Sequence, residues 1–166
     1  MQAKGICQTY ILEKSQITFF SEAPLENIDA TNTQAKSIFQ KSSGNIAFQV
    51  PIIGFQFKKS LMQKHFNENY MESDKYPNAT FSGNLSSYNN RTGVQAVEAA
   101  GKLTIRGISK EVIIKGTLEQ KEDQLILKAK FPVRVEDYNI KIPRIVFFNI
   151  AEVVDVEVFL IYTERK

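Results

Sequence analysis

From Asn78 to the C-terminus apolar residues recur at every second position, and this alternation constrains the fold more than any other feature of the chain. A β-strand sends successive side chains to opposite faces, so a period of two means one buried face and one wet face. Over 124–135, Leu125, Leu127, Ala129, Phe131, Val133 and Val135 share one face, against Gln124, Lys128, Lys130 and Arg134, with Ile126 and Pro132 as exceptions. The last segment repeats the pattern, with Val154, Val156, Val158, Leu160 and Tyr162 opposed by Asp155, Glu157 and Thr163. So does an earlier run, in which Val112, Ile114 and Leu118 oppose Lys115, Thr117 and Glu119. One apolar face per strand is the pattern of antiparallel sheets.

The connectors fit hairpins. The spans 106–110 and 120–123 are short and polar, the first with a Gly, and 88–93 forms a longer polar turn. Upstream, Thr9 to Phe20 and Ile46 to Phe57 also read as strands, with Gly44 and Pro51 marking ends or bends. So many strands must close on themselves or expose aggregation-prone edges. The expected fold is therefore all-β, a closed antiparallel barrel of about eight strands. One segment breaks the period: between Ser60 and Glu72 the apolar residues Leu61, Met62, Phe66 and Tyr70 have helical spacing, Ser60 and Gln63 have the spacing of a capping box, and Pro77 follows. With no repeat or linker, residues 1–166 are expected to form a single domain.

Several function classes fall away on composition. At 166 residues, 43% hydrophobic and 23% charged, the chain can build one ordinary core without a staple. The single cysteine, Cys7, has no disulfide partner in the chain. A net charge of +3 with no basic stripe argues against nucleic acid. The longest apolar runs, such as 158–162, are far shorter than the roughly 20 residues of a membrane-spanning helix, so no transmembrane segment is expected. The first residues show no apolar signal region, which fits either a cytoplasmic chain or an exported one without its leader.

Catalytic chemistry has little to work with. His65, the one histidine, lines up with Glu68 and Glu72 on a helix face, an incomplete ligand set for a metal, and any Ser/His/acid triad would need the same His65. No catalytic residue and no metal site is therefore expected. Arg106 and Tyr138 are candidates to meet a polar ligand group, although an exposed turn arginine and a loop tyrosine explain them equally well. The unusual feature is 12 Phe with no Trp. Phe19, Phe48, Phe55, Phe66, Phe81 and Phe131 fall on inward positions, where they either pack a solid core or line a cavity.

Two long stretches carry a family resemblance. The run HFNENYMESDKYPNATF at 65–81 and the run GKLTIRGISK at 101–110 are similar, in sequence and order, to the two signature blocks of the YceI-like proteins. Ala23-Pro24-Leu25-Glu26 and the final strand fall at compatible positions, so the likeness covers nearly the whole chain. It implies a lipocalin-like barrel in the bacterial periplasm, or secreted, with a signal peptide lying outside this sequence, whose interior holds a long polyisoprenoid chain such as a quinone precursor. Within the matching blocks the resemblance assigns ligand contact to Phe66, Tyr70, Phe81, Leu103 and Ile105. The alternation adds Phe19, Phe48, Phe55, Ile114, Leu127 and Phe131, and the helix adds Met62.

Two regions depart from the family pattern. Many relatives have a His-containing N-terminal strand and an Arg-Ser motif in the C-terminal third, where this chain reads ITFFSE at 17–22 and VEDYNI at 135–140. The headgroup end of the pocket is expected to differ accordingly. The leading expectation is a non-enzymatic carrier or scavenger of an apolar lipid, with no cofactor beyond a bound polyisoprenoid or other long-chain lipid and with a homodimer left open. The alternatives are an interaction protein with a packed barrel and an enzyme acting on a bound lipid.

Overall fold

The computed structural model describes residues 9–22, 27–141 and 151–165. In chain order the strands are β1 (Thr9–Ser21), β2 (Ile28–Asn32), β3 (Lys36–Gln40), β4 (Asn45–Pro51) and β5 (Gln56–Phe57), then β6 (Asn78–Ser86), β7 (Gly93–Ile105), β8 (Ile108–Lys121), β9 (Gln124–Arg134) and β10 (Val153–Glu164). Helix α1 (Ser60–His65) separates β5 from β6. The pairing order β10, β9, β8, β7, β6, β4, β3, β1 returns to β10, closing an eight-stranded antiparallel barrel. The closing seam runs from Tyr10↔Glu164 to Phe20↔Asp155, with one register shift between Leu12 and Lys14.

The alternation is what permits closure. The inward residues of β9 and β10 meet in register as Val156↔Phe131, Val158↔Ala129, Leu160↔Leu127 and Tyr162↔Leu125, leaving Lys130 and Glu157 outside. On its other edge, the 13-residue β1 has two neighbours: Thr9–Ile11 pair with β3, and Ile17–Ser21 with β2. Asn32 stands where one gives way to the other. Fully buried, it donates to the Pro51 carbonyl at 2.7 Å and accepts the Gln34 N–H at 2.8 Å, which satisfies backbone groups freed by the break.

The end or bend expected at Pro51 is where the strand read over 46–57 gives way to a 3-10 turn, Ile52–Gly54, before β5 resumes against β2. Three local expectations are revised. The helix read over 60–72 is one α-helical stretch to His65 followed by a π-helical turn, Phe66–Tyr70. Its capping box does not form: Lys59, not Ser60, is the N-cap and makes no side-chain capping bond, and Gln63 instead accepts the Phe57 N–H at 3.1 Å. A strand amide competes for the side chain and wins. The β7–β8 connection is tighter than expected, a two-residue turn of Arg106 (φ 52°) and Gly107 (φ 75°) whose positive φ angles match the twist of the hairpin.

Two apolar clusters fill the two ends. Near the helix, Ile17, Phe19, Ile52, Phe55, Met62, Phe66 and Tyr70 pack with Val135 and Tyr138. At the opposite end Tyr10, Phe39, Leu118, Leu125, Leu160 and Tyr162 form a plug. The phenol of Tyr162 reaches Ser37 Oγ at 2.7 Å, and Tyr88 donates to the Lys41 carbonyl at 2.5 Å, so the buried hydroxyls of this plug are satisfied.

Candidate functional site: an apolar cavity in the barrel

Between the two clusters lies a cavity of about 210 Å³. Its wall is built from the inward positions of the strands together with Phe55, Phe66, Tyr70 and Met71 from the segments between β4 and β6. Of the twelve residues expected from the sequence, eleven line it: Phe19, Phe48, Phe55, Phe66, Tyr70, Phe81, Leu103, Ile105, Ile114, Leu127 and Phe131. Met62 does not. It is buried in the same cluster as Phe66, on the face the two share, but one helical turn away, and so stays off the cavity wall.

The aromatic wall is organised around Phe66. Its ring stacks on Phe19 at 5.3 Å and meets Phe57 at 4.9 Å and Phe55 at 5.7 Å, while Phe19 also makes edge contacts with Phe55 and Phe57. Such tilted and edge-on pairs contribute about 0.5–1.5 kcal/mol each beyond area burial. This cluster fastens the helix segment across one end of the cavity. Farther in, Phe48 and Phe81 pair at 6.1 Å, and the Phe81 ring lies over Gly83 and Gly101, which face each other across β6 and β7. Those two glycines admit the ring because they carry no side chain of their own.

Polar groups are scarce. Of the lining residues only Tyr70, Thr80 and Lys128 have polar side chains, and no Asp, Glu or His lines the cavity among the described residues. Burial pushes the Tyr70 phenol above its ordinary range, so it stays a neutral hydroxyl. Lys128 is exposed, its ammonium 5.6 Å from the centre of the Phe159 ring. The space can therefore take apolar surface but offers little to hold a charge.

Arg106 is not the exposed turn residue that its position in a hairpin implies. Its side chain is only 20% exposed, bonds the Glu72 carboxylate, donates to the Asn139 carbonyl at 2.7 Å and lies 5.6 Å from the Tyr76 ring centre. Tyr138 is buried rather than a surface loop tyrosine, its phenol raised by burial and then by Asp137. Both lie at the helix end of the barrel, which forms its mouth, Tyr138 in the apolar cluster and Arg106 bonded to Glu72. The His65, Glu68 and Glu72 line is likewise drawn into local contacts, His65 Nδ1 with Asn69 at 3.1 Å and Glu72 with Arg106.

The alternation also marked Ala129, Val133, Val135, Val154, Val156 and Val158 as inward, and all six line the cavity, although none was singled out as a site residue. Ile52, Met71 and Ile140 were missed outright. They lie in turns, where no period exists to reveal which way a side chain points.

The family model described as YceI-like domain matches residues 11–161. Among curated proteins none matches by sequence. Among solved structures, a polyisoprenoid binding domain from Saccharophagus degradans implicated in plant cell wall breakdown superposes with TM-score 0.77 at 12% identity, over 94% of this chain and 98% of that one. BcnA of Burkholderia cenocepacia gives 0.74 at 17% identity over 89% and 95% of the two chains. The Campylobacter jejuni YCEI protein gives 0.67 at 14% identity over 87% and 89%. At these identities the likeness is one of fold.

Proposed function

The chain belongs to the YceI-like family, and on that premise we propose that it binds and carries, or sequesters, a long apolar isoprenoid-like lipid inside its barrel. The carrying observation is the cavity itself: about 210 Å³ of unfilled space walled almost entirely by carbon. A dry apolar cavity of roughly 150 Å³ is already enough to hold a benzene-sized solute. The polyisoprenoid-binding description of the Saccharophagus degradans neighbour supports the same ligand class.

The energetics suffice without chemistry. Each buried methylene contributes about 0.8 kcal/mol, so ten give roughly 8 kcal/mol before the ordering costs of association. Contact with Phe19, Phe48, Phe55, Phe66, Tyr70, Phe81, Leu103, Ile105, Ile114, Leu127 and Phe131 would select by shape and length. Met62 supports them from the cluster near the helix. A wall with no Asp, Glu, His or Cys among the described residues favours a binding protein over an enzyme, and unfilled space favours a carrier over a solid barrel whose loops do the work. The same reading takes residues 1–166 as one barrel domain and places the protein in the periplasm or outside the cell, near the membranes that supply such lipids. Fractionation of the cells that make it, with N-terminal sequencing of the mature chain, tests that placement.

The deciding experiment enlarges the wall. Leu103→Trp should abolish displacement of a fluorescent polyene lipid while leaving the melting temperature nearly intact, because a residue facing a void has room to grow. In a solid core the same change overpacks and costs about 1–3 kcal/mol. Lost stability, together with no lipid uptake by the parent protein, would refute the carrier reading.

A further inference from the structure

Among the described residues, the barrel wall is incomplete between β8 and β9. The β8–β9 ladder runs from Lys121↔Gln124 to Gly116↔Ala129 and stops, yet β8 stays paired to β7 down to Ile108 and β9 stays paired to β10 up to Arg134. Residues 108–115 and 130–134 therefore form the two lips of a seam. The sequence supplies the cause. The register that pairs Gly116 with Ala129 would next set Lys115 against Lys130, and like charges placed directly opposite destabilise a sheet. Two steps farther it would reach Pro132, which has no N–H to give to a ladder.

The seam starts where two spaces meet. Outside the barrel a groove crosses β1, β8, β9 and β10, floored by Gly116, Ala129 and Val158, residues that also line the inner cavity. Only the backbone and small side chains separate the two there. A Cβ on Gly116 would stand 2.3 Å from the Lys128 carbonyl oxygen, so that last rung closes only around glycine. The groove's outer walls include Lys115, Lys128, Lys130 and Glu157. Lys130 is 3.5 Å from Glu157 and Lys128 sits over Phe159, while Lys115 has no ion pair among the described residues. The groove thus carries three cations against one anion.

Size argues in the same direction. Pockets that enclose drug-sized ligands run to about 300–1,000 Å³, so a long chain outruns an inner cavity of about 210 Å³ and must leave it somewhere. We infer that the β8–β9 seam is the lateral passage for an amphiphile, the apolar tail threading into the barrel while an anionic head, carboxylate or phosphate, stays outside on Lys115, Lys128 and Lys130. The inference rests on the lipid-binding reading above and adds to it the side of approach and the charge of the head. Unpaired strand edges also recruit other strands, but lysine and proline on the lips are what sheets use to prevent that.

Two arms test it. In a Cys7→Ser background, Ile113→Cys with Pro132→Cys places a reversible disulfide across the lips, at positions that line neither the cavity nor the groove. With parinaric acid as the probe, the oxidised protein should take up and release ligand at least roughly tenfold more slowly than its own reduced form. In the second arm, the combined change Lys115→Gln and Lys130→Gln, which leaves the cavity lining untouched, should weaken parinaric acid about threefold and leave its methyl ester unchanged, as two partly screened ion pairs would. Equal kinetics in the oxidised and reduced forms, or equal losses for acid and ester, overturn the seam while leaving the carrier reading intact. A parent protein that takes up neither probe overturns both.

Discussion

Arg106 in the β7–β8 turn and Glu72, two residues past the π-helical turn, join the barrel mouth to the helix segment by a charge-assisted hydrogen bond. Glu72 holds a positive φ of 47°, and Arg106 is steadied by Tyr76 and the Asn139 carbonyl, so one guanidinium fastens three separate segments. Charge-assisted bonds contribute about 1.5–3 kcal/mol when shielded, and the partial exposure of Glu72 lowers that. Arg106→Ala should therefore cost about 1–2 kcal/mol in urea unfolding, with Arg106→Lys recovering only part. A loss below about 0.3 kcal/mol would show that the contact does not hold the mouth.

Phe66 and Phe131 both face the cavity but should respond differently to truncation. Phe66 has three ring partners, so Phe66→Ala should cost about 3–5 kcal/mol and loosen the helix segment. Phe131 is half-buried with no ring partner among the described residues, and Phe131→Ala should cost well under half as much while still weakening uptake of a polyene lipid. Equal destabilisation by the two changes would mean that Phe131 is core rather than wall.

At the plug end, Ser37 donates to the Ala47 carbonyl at 2.7 Å, so the remaining bond to Tyr162 has the phenol as donor. Tyr162→Phe removes that donor and leaves Ser37 its own bond. The expected cost is about 1 kcal/mol, the usual net value of one hydrogen bond. Ser37→Ala should cost more, because it strands the buried phenol. The reverse order in thermal melts would contradict this assignment of donor and acceptor.

Alkaline pH should weaken the fold. Tyr10, Tyr70, Tyr88, Tyr138 and Tyr162 are all raised above the ordinary value of 10.0, in each case chiefly by burial. Below that value both states keep these protons and stability does not depend on them. Above it the unfolded chain loses protons that the folded chain retains, so stability falls as pH rises. Urea midpoints should decline above pH about 10, and Tyr162→Phe should flatten the decline. A midpoint that holds steady up to pH about 11 would refute the linkage.

The lasting lesson lies in which residues could be read directly. Leu127, Phe131 and Val158 declared their inward direction from the chain alone, because a period of two follows from backbone geometry and needs no knowledge of neighbours. Lys115, Lys130 and Pro132 were equally visible, but their meaning was not. That the first two would face each other, and that the ladder ends there, depends on a register decided only when β8 and β9 meet. The same holds for Gln63, whose local spacing promised a cap for Ser60 until a strand amide from Phe57 came within reach. Arg106 read as a surface turn residue because its partners, Glu72 and Asn139, lie 34 and 33 residues away. The strands and the apolar wall were thus determined by local covalent periodicity. The cavity, its mouth and its seam were decided by long-range packing, which sets partner and distance and leaves no period in the sequence.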